Sequence, residues 1–325
     1  MSDASGLDVD KHDALQANRF DDEIDLRELF GVLWAGKGIV IAITAFAAAL
    51  SVAYALSLPN IYQSKALLAP KGGSGGGGLA AMASQFGGLA SLAGINLPGG
   101  GDTSKSLIAQ EKMKSLDFFT KQLYEQVLPE LMALESWDAT TGAVIFDNDS
   151  YETKSRTWVR EKDPPRKRKP SAQEAFEDFS EIFSVSEDKK SGFVSLSLKH
   201  QSPIIAEAWL SLIIDRINED VRERDILEAE QSVLFLEGQR EQTALVSLDE
   251  VFASLIEEQT KTIMLANASK DYVFEVVEPP VVPELKSEPK RALICVLGTL
   301  LGGMLVVLFV LVRHYSAGLS ITKAN

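Results

Sequence analysis

Two long stretches free of charge bracket a polar middle: Ile39–Leu58 (IVIAITAFAAALSVAYALSL) and Ala292–Val312 (ALICVLGTLLGGMLVVLFVLV). A helix rises 1.5 Å per residue, so about 20 residues cover the roughly 30 Å hydrocarbon core of a bilayer. Each stretch is expected to be a transmembrane helix. A secretory signal has a shorter apolar region nearer the N-terminus, whereas a polar tail precedes the first stretch here, so a retained anchor is expected. Two spans place both chain ends on one side of the membrane and the intervening residues on the other. Arg27, Lys37 and Arg313 favour cytoplasmic ends, while Lys290 and Arg291 oppose them; cytoplasmic ends are expected. The resulting division is 1–37 (tail with interfacial helix), 38–58 (first span), 59–291 (folded domain), 292–312 (second span) and 313–325 (tail).

Between the spans the apolar pattern predicts an α+β domain. Ile24, Leu26, Leu29, Phe30, Leu33 and Trp34 approximate a helical face leading into span one, with Trp34 at headgroup level. Ile61–Leu68 reads as a strand ended by Pro70. The insert 71–102 then holds 12 of the chain's 23 glycines. It lacks the Lys-Ser/Thr that would make a phosphate-cradling loop. Leu116, Phe119, Leu123 and Val127 recur at helical spacing, with Pro129 expected to stop that helix or lie just past its end. A less regular region follows, carrying the basic run Arg166–Pro170, read either as a solvated loop or as a site for an anionic sugar or headgroup.

Ser171 and Glu174 match a capping box, with Phe176, Phe179 and Phe183 as the buried face of the helix behind it. Ile182–Ser186 and Phe193–Lys199 predict a hairpin. Ser202-Pro203 then starts a helix expected to run over about 203–246. Its first half has an apolar stripe (Ile205, Trp209, Leu212, Ile213, Ile217, Val221), and its later half is charged. Such a helix needs other helices around its far end. Leu248, Phe252, Leu255, Ile256 and Ile263 predict a returning helix, and Tyr272–Val277 a last strand. The expected fold is thus α+β, with a small mixed sheet and a long projecting helix, membrane-anchored and oligomeric.

The net charge of −14 argues against nucleic acid as a partner. Cys295, the single cysteine, lies in span two, so no intramolecular disulfide or thiolate metal site can form. His12, His200 and His314 are too scattered to cluster round a metal. No GxSxG elbow accompanies His200, which reads as a strand-end residue. No catalytic, cofactor or metal site is expected.

The most specific pattern is the junction at span two. Pro279, Pro280, Pro283, Ser287, Pro289 and Lys290 belong to a stiff connector, PPVVPELKSEPK, and eleven residues later come Gly302-Gly303-Met304. Gly298 and Gly302 form a GxxxG, and Gly303 widens the small-residue patch through which transmembrane helices approach closely. With the DEIDL lead-in, IYQSKALLAP and LIEEQTKTIMLANASKDYVFEVVEPP, the chain resembles the bacterial polysaccharide co-polymerases, the chain-length determinants of surface polysaccharide, from about Asp21 to Val312. It departs from their pattern where Glu288 separates Ser287 from Pro289, and where Leu305-Val306-Val307 replaces small residues. The resemblance implies an inner-membrane protein with a periplasmic domain in a ring-like homo-oligomer. Its implied partners are an O-antigen polymerase and a lipid-linked glycan, and its implied role is to regulate lipopolysaccharide O-antigen length without bond chemistry. The hairpin topology also fits an exopolysaccharide export adaptor that activates a separate cytoplasmic tyrosine kinase.

Overall fold

The computed structural model describes residues 31, 34, 36–71, 101–242 and 246–321. The apolar face expected at Ile24–Leu33 and nearly all of the glycine-rich insert lie outside the described residues. Two compact units form, one of Met1–Leu58 with Pro289–Asn325, the other of Pro59–Glu288.

In the first unit, α1 spans Lys37–Ser57, and most of its side chains are exposed. At its start, the Lys37 ammonium lies 4.8 Å from the centroid of the exposed Trp34 ring, a cation–π geometry.

The second unit opens with β1, Tyr62–Pro70. Pro70 closes the strand instead of following it, since a terminal proline forfeits only one ladder donor. After the insert come α2 (Gly101–Met113), the short α3 (Leu116–Phe118), a π-helical turn at Phe119–Leu123, and α4 (Tyr124–Met132). The wider π turn lets the neighbours Phe118 and Phe119 both be buried. Phe119 stacks near Phe179 and Phe176, at 4.9 and 5.6 Å between ring centroids. Pro129 does not end this helix; it sits inside α4, which continues to Met132 and is closed by Ala133 N–H donating to the Pro129 carbonyl at 2.9 Å.

Two small hairpins follow, β2 (Leu134–Trp137) with β3 (Val144–Phe146), and β4 (Tyr151–Glu152) with β5 (Thr157–Trp158). Next, α5 spans Ala172–Ile182. Half of its capping box forms: Ser171 Oγ accepts from Glu174 N–H at 3.1 Å. The Glu174 carboxylate does not reach back, because Arg160 takes both its oxygens, at 2.7 and 2.8 Å. Phe183 opens β6 (Phe183–Glu187), which pairs with β7 (Val194–His200) as the expected hairpin. Helix α6 then runs Pro203–Gln242, α7 returns over Val246–Ala268, and β8 is Phe274–Glu278.

The sheet order is β6-β7-β1-β8, with every neighbouring pair antiparallel. The expectation of a mixed sheet is thereby corrected. The excursion out along α6 and back along α7 brings β8 in parallel to β7, but β1 lies between them, running the other way. One face buries Ala66, Leu68, Val194, Leu196 and Leu198. Alternate positions on the other face are exposed, as at Lys65 and Ser195, or half-buried, as at Leu67 and Ser197, the alternation of an antiparallel sheet covered on one side. The covering layer is α6, through Trp209, Leu210, Ile213, Ile217 and Val221, with the phenylalanine cluster alongside. The final helix, α8, is Arg291–Ile321 in the first unit, and it packs on α1.

Candidate functional site

The residues singled out at the junction fall into two sets. In the Pro59–Glu288 unit, β8 pairs only with the Leu67–Pro70 end of β1. The connector then covers the other end. Ser64 Oγ donates to the Val281 carbonyl at 2.9 Å, and Ile61 exchanges backbone hydrogen bonds with Glu288 and Ser287 at 2.8–3.2 Å. Prolines lack the N–H that a regular ladder requires, so a side chain and one isolated bridge hold this segment instead. Pro280, Pro283 and Ser287 are half-buried, and Pro279 is exposed. Ser287 Oγ also donates to Gln63 Oε1 at 3.4 Å, and Lys199 pairs with Glu288 at 2.6 Å. Glu288, which interrupts the expected Ser-Pro spacing, therefore has a structural partner.

In the other unit, Pro289 is half-buried and Lys290 exposed; the Lys290 carbonyl accepts from Leu293 and Ile294 N–H as α8 begins. The glycines of α8 face α1 of the same chain. A Cβ at Gly298 would lie 2.5 Å from Ser51 Cβ, one at Gly302 would overlap Ala47 Cβ, and one at Gly303 would meet Thr44 at 3.7 Å. Gly298 and Gly302 thus permit close approach of two apolar helices. Arg291 Nη2 also donates to the Leu58 carbonyl at 3.2 Å, linking the ends of these helices.

Sequence reading missed the residues that bind the long helix to the returning chain. Asn218, buried on α6, accepts from the backbone N–H groups of Tyr272, Val273 and Phe274 at 2.9–3.1 Å. Its amide donates to the carbonyls of Phe274 and Ile214 at 3.1 and 3.2 Å. Two turns further along α6, Asp225 receives Lys105 at 2.8 Å and the Tyr272 hydroxyl at 2.9 Å, and between them Asp220 pairs with Lys112. These contacts tie α2, α6 and the start of β8 together. The Tyr272 hydroxyl is held above its usual range, by burial first and then by Asp225. A polar residue between apolar helix turns was the available signal, but its partners lie more than 50 residues away.

His200 closes β7 under Trp209, 5.0 Å between rings, with Nδ1 accepting from Ser202 N–H at 3.0 Å. Burial holds the imidazole below its usual range. No group of three or more His, Cys, Asp or Glu suited to a metal occurs among the described residues.

An α+β body with an antiparallel sheet and a long helical hairpin, flanked in sequence by two helices long and apolar enough to cross a bilayer, defines the class: an α+β protein with two candidate membrane helices. Residues 22–125 match the family "Chain length determinant protein" (Wzz), and residues 239–315 match "G-rich domain on putative tyrosine kinase" (GNVR). Over residues 22–125 the chain is thus similar to the chain-length determinant family. No curated protein sequence matches it. Among solved structures it is similar to a full-length bacterial polysaccharide co-polymerase, at 15% identity and TM-score 0.40 over 91% of this chain and 99% of that one. It is also similar to a fragment of WzzB, polysaccharide co-polymerase from Salmonella Typhimurium, at 14% identity and TM-score 0.31 over 70% of this chain and 100% of that one.

Proposed function

We propose that this chain is a two-pass bacterial inner-membrane co-polymerase that sets the length of a lipid-linked surface polysaccharide, the O-antigen of lipopolysaccharide in particular. Its ends are cytoplasmic, its folded domain is periplasmic, and it makes and breaks no glycosidic bond itself. The observation that carries this reading is the chain-length determinant match over residues 22–125, which takes in the first apolar helix, β1 and the helices behind the insert.

The domain boundaries expected from sequence belong to the same proposal, as does assembly into a homo-oligomer beside a polymerase. Exposed apolar side chains along the projecting part of the helical hairpin, among them Leu227, Leu234, Phe235 and Val251, support self-association. The connector prolines would stiffen the chain that leads from the domain into span two. Gly298, Gly302 and Gly303 would set span packing, first within the chain and through it with the polymerase.

Complementation of a deletion strain tests the reading. Wild-type protein restores the modal length of lipopolysaccharide on a gel, and Gly302→Leu restores it incompletely because the bulk forces α1 and α8 apart. Indistinguishable length distributions with and without the gene reject it.

The match at residues 239–315 favours a second reading, an exopolysaccharide export adaptor working with a separate cytoplasmic tyrosine kinase. Loss of capsule with unchanged lipopolysaccharide in the deletion strain would select it.

A further inference from the structure

The basic run at Arg166–Pro170 is held from beneath. Arg160 is buried, and besides both oxygens of Glu174 its guanidinium donates to the carbonyls of Arg168 at 2.7 Å and Lys167 at 3.2 Å. A planar cation with five donors can fix a carboxylate and two carbonyls at once. The side chains of Arg166, Lys167, Arg168 and Lys169 all remain exposed on this anchored backbone. Four cations on a fixed scaffold stand out in a chain of net charge −14.

Lys169 lines two clefts. The first, of about 490 Å³, is walled by Phe146, Tyr151 and Trp158, with Glu125, Glu130, Thr153 and Arg156 as further polar groups. One Glu130 carboxyl oxygen is buried there without a hydrogen-bond partner. The second, of about 500 Å³, lies against Tyr124 and Pro170 and carries Arg166 and Lys167. Of its two carboxylates, Glu174 is already paired with Arg160, and Glu177 is exposed to solvent. Lys169 itself pairs with Glu125 at 2.8 Å and lies 5.1 Å from the centroid of the Tyr124 ring.

These two linings suit different parts of one ligand. Sugar rings offer C–H faces to aromatic side chains and hydroxyls to carboxylates and guanidinium groups. A uronate or phosphate group adds an anion that Arg and Lys take in charge-assisted hydrogen bonds. Each cleft falls within the roughly 300–1,000 Å³ of small-ligand sites. We propose that the two clefts sharing Lys169 form one groove for a segment of acidic polysaccharide. A sugar ring lies on the Tyr151–Trp158 side, and its carboxylate or phosphate lies on Arg166, Lys167 and Lys169. The choice of a glycan rests on the function proposed above; the acidic character and the site rest on the loop and the clefts. A concave, ring-lined groove fits a chain better than the flat array of anionic headgroups on a membrane.

Full-length protein in phosphatidylcholine nanodiscs is titrated with a galacturonate oligosaccharide and, separately, with an uncharged glucose oligosaccharide. The galacturonate chain is expected to bind more tightly, with affinity falling as salt rises. Arg166→Glu with Lys167→Glu is expected to weaken it about tenfold, from two lost charge-assisted contacts, while leaving thermal unfolding unchanged. Arg156→Ala is expected to weaken both oligosaccharides. The inference is overturned by absent binding, by equal binding of both chains unaffected by the double variant, or by phosphatidylglycerol vesicles binding in a way galacturonate does not displace. If galacturonate does not bind but complementation still changes polysaccharide length, this inference alone falls. If complementation has no effect, the proposed function falls while the binding result still decides the groove.

Discussion

The two halves of α6 share one uninterrupted helix and live under different physics. From Pro203 to Val221 it buries Ala206, Trp209, Leu210, Ile213, Ile214, Ile217 and Val221 against the sheet. From Arg222 to Gln242 the buried residues are Asp225 and Ala229, while Leu227, Leu234 and Phe235 are 57–69% exposed. Beyond the sheet, α7 is the principal neighbour. Tertiary packing therefore stabilises the first half, and helix propensity with one antiparallel partner sustains the second. The lesson is that one element can specify the fold near the sheet and leave apolar surface exposed farther out.

Substitutions can break or sharpen that contrast. The largest effect is expected at the boundary, where Asn218→Leu strips hydrogen bonds from the buried backbone donors of Val273 and Phe274, the half-buried donor of Tyr272, and two carbonyls. A loss of about 4 kcal/mol is expected in urea unfolding, since each unsatisfied buried group costs about 1–3 kcal/mol. Next comes Ile217→Ala, at 0% exposure under the sheet, with a loss of about 3 kcal/mol from transfer and cavity terms.

The proximal end also carries a pH-sensitive joint. His200 binds a proton less readily folded than unfolded, because burial lowers its pKa from 6.5. Its contribution is complete above pH 6.5 and is lost as pH falls from there through the depressed folded value. The wild-type urea midpoint is expected to drop on acidification across that window, with the drop reduced in His200→Gln. The smallest effect is expected far out: Leu234→Ala changes stability by less than about 0.5 kcal/mol, as for an exposed site. A large loss there would mean that the far half is packed after all.

The sequence made the periodic elements legible. The apolar stripe of α6, the Ser202-Pro203 start, the β6–β7 hairpin and the returning α7 follow from local spacing and turn chemistry. The sheet's antiparallel order was not legible, because it depends on β1 being inserted between β7 and β8, strands that follow it by more than 100 residues. The strands β2 to β5 have two to four residues each, too few to display alternation. Pro129 misled because a proline at the sixth position of a nine-residue helix still permits one more turn. At the junction, the small-residue spacing announced a close helix approach but not that its partner is α1 of the same chain. Asn218 and Arg160 escaped notice because each works through partners supplied by distant or irregular chain.

The central claim is that two apolar helices hold one folded body outside the cytoplasm. Ser180 lies on the exposed face of α5, so Ser180→Cys can be labelled with a small charged maleimide in intact cells, with the parent protein, whose one thiol is Cys295, as the background. The account predicts labelling above that background without permeabilising the inner membrane. Labelling that appears only after the inner membrane is opened would contradict it.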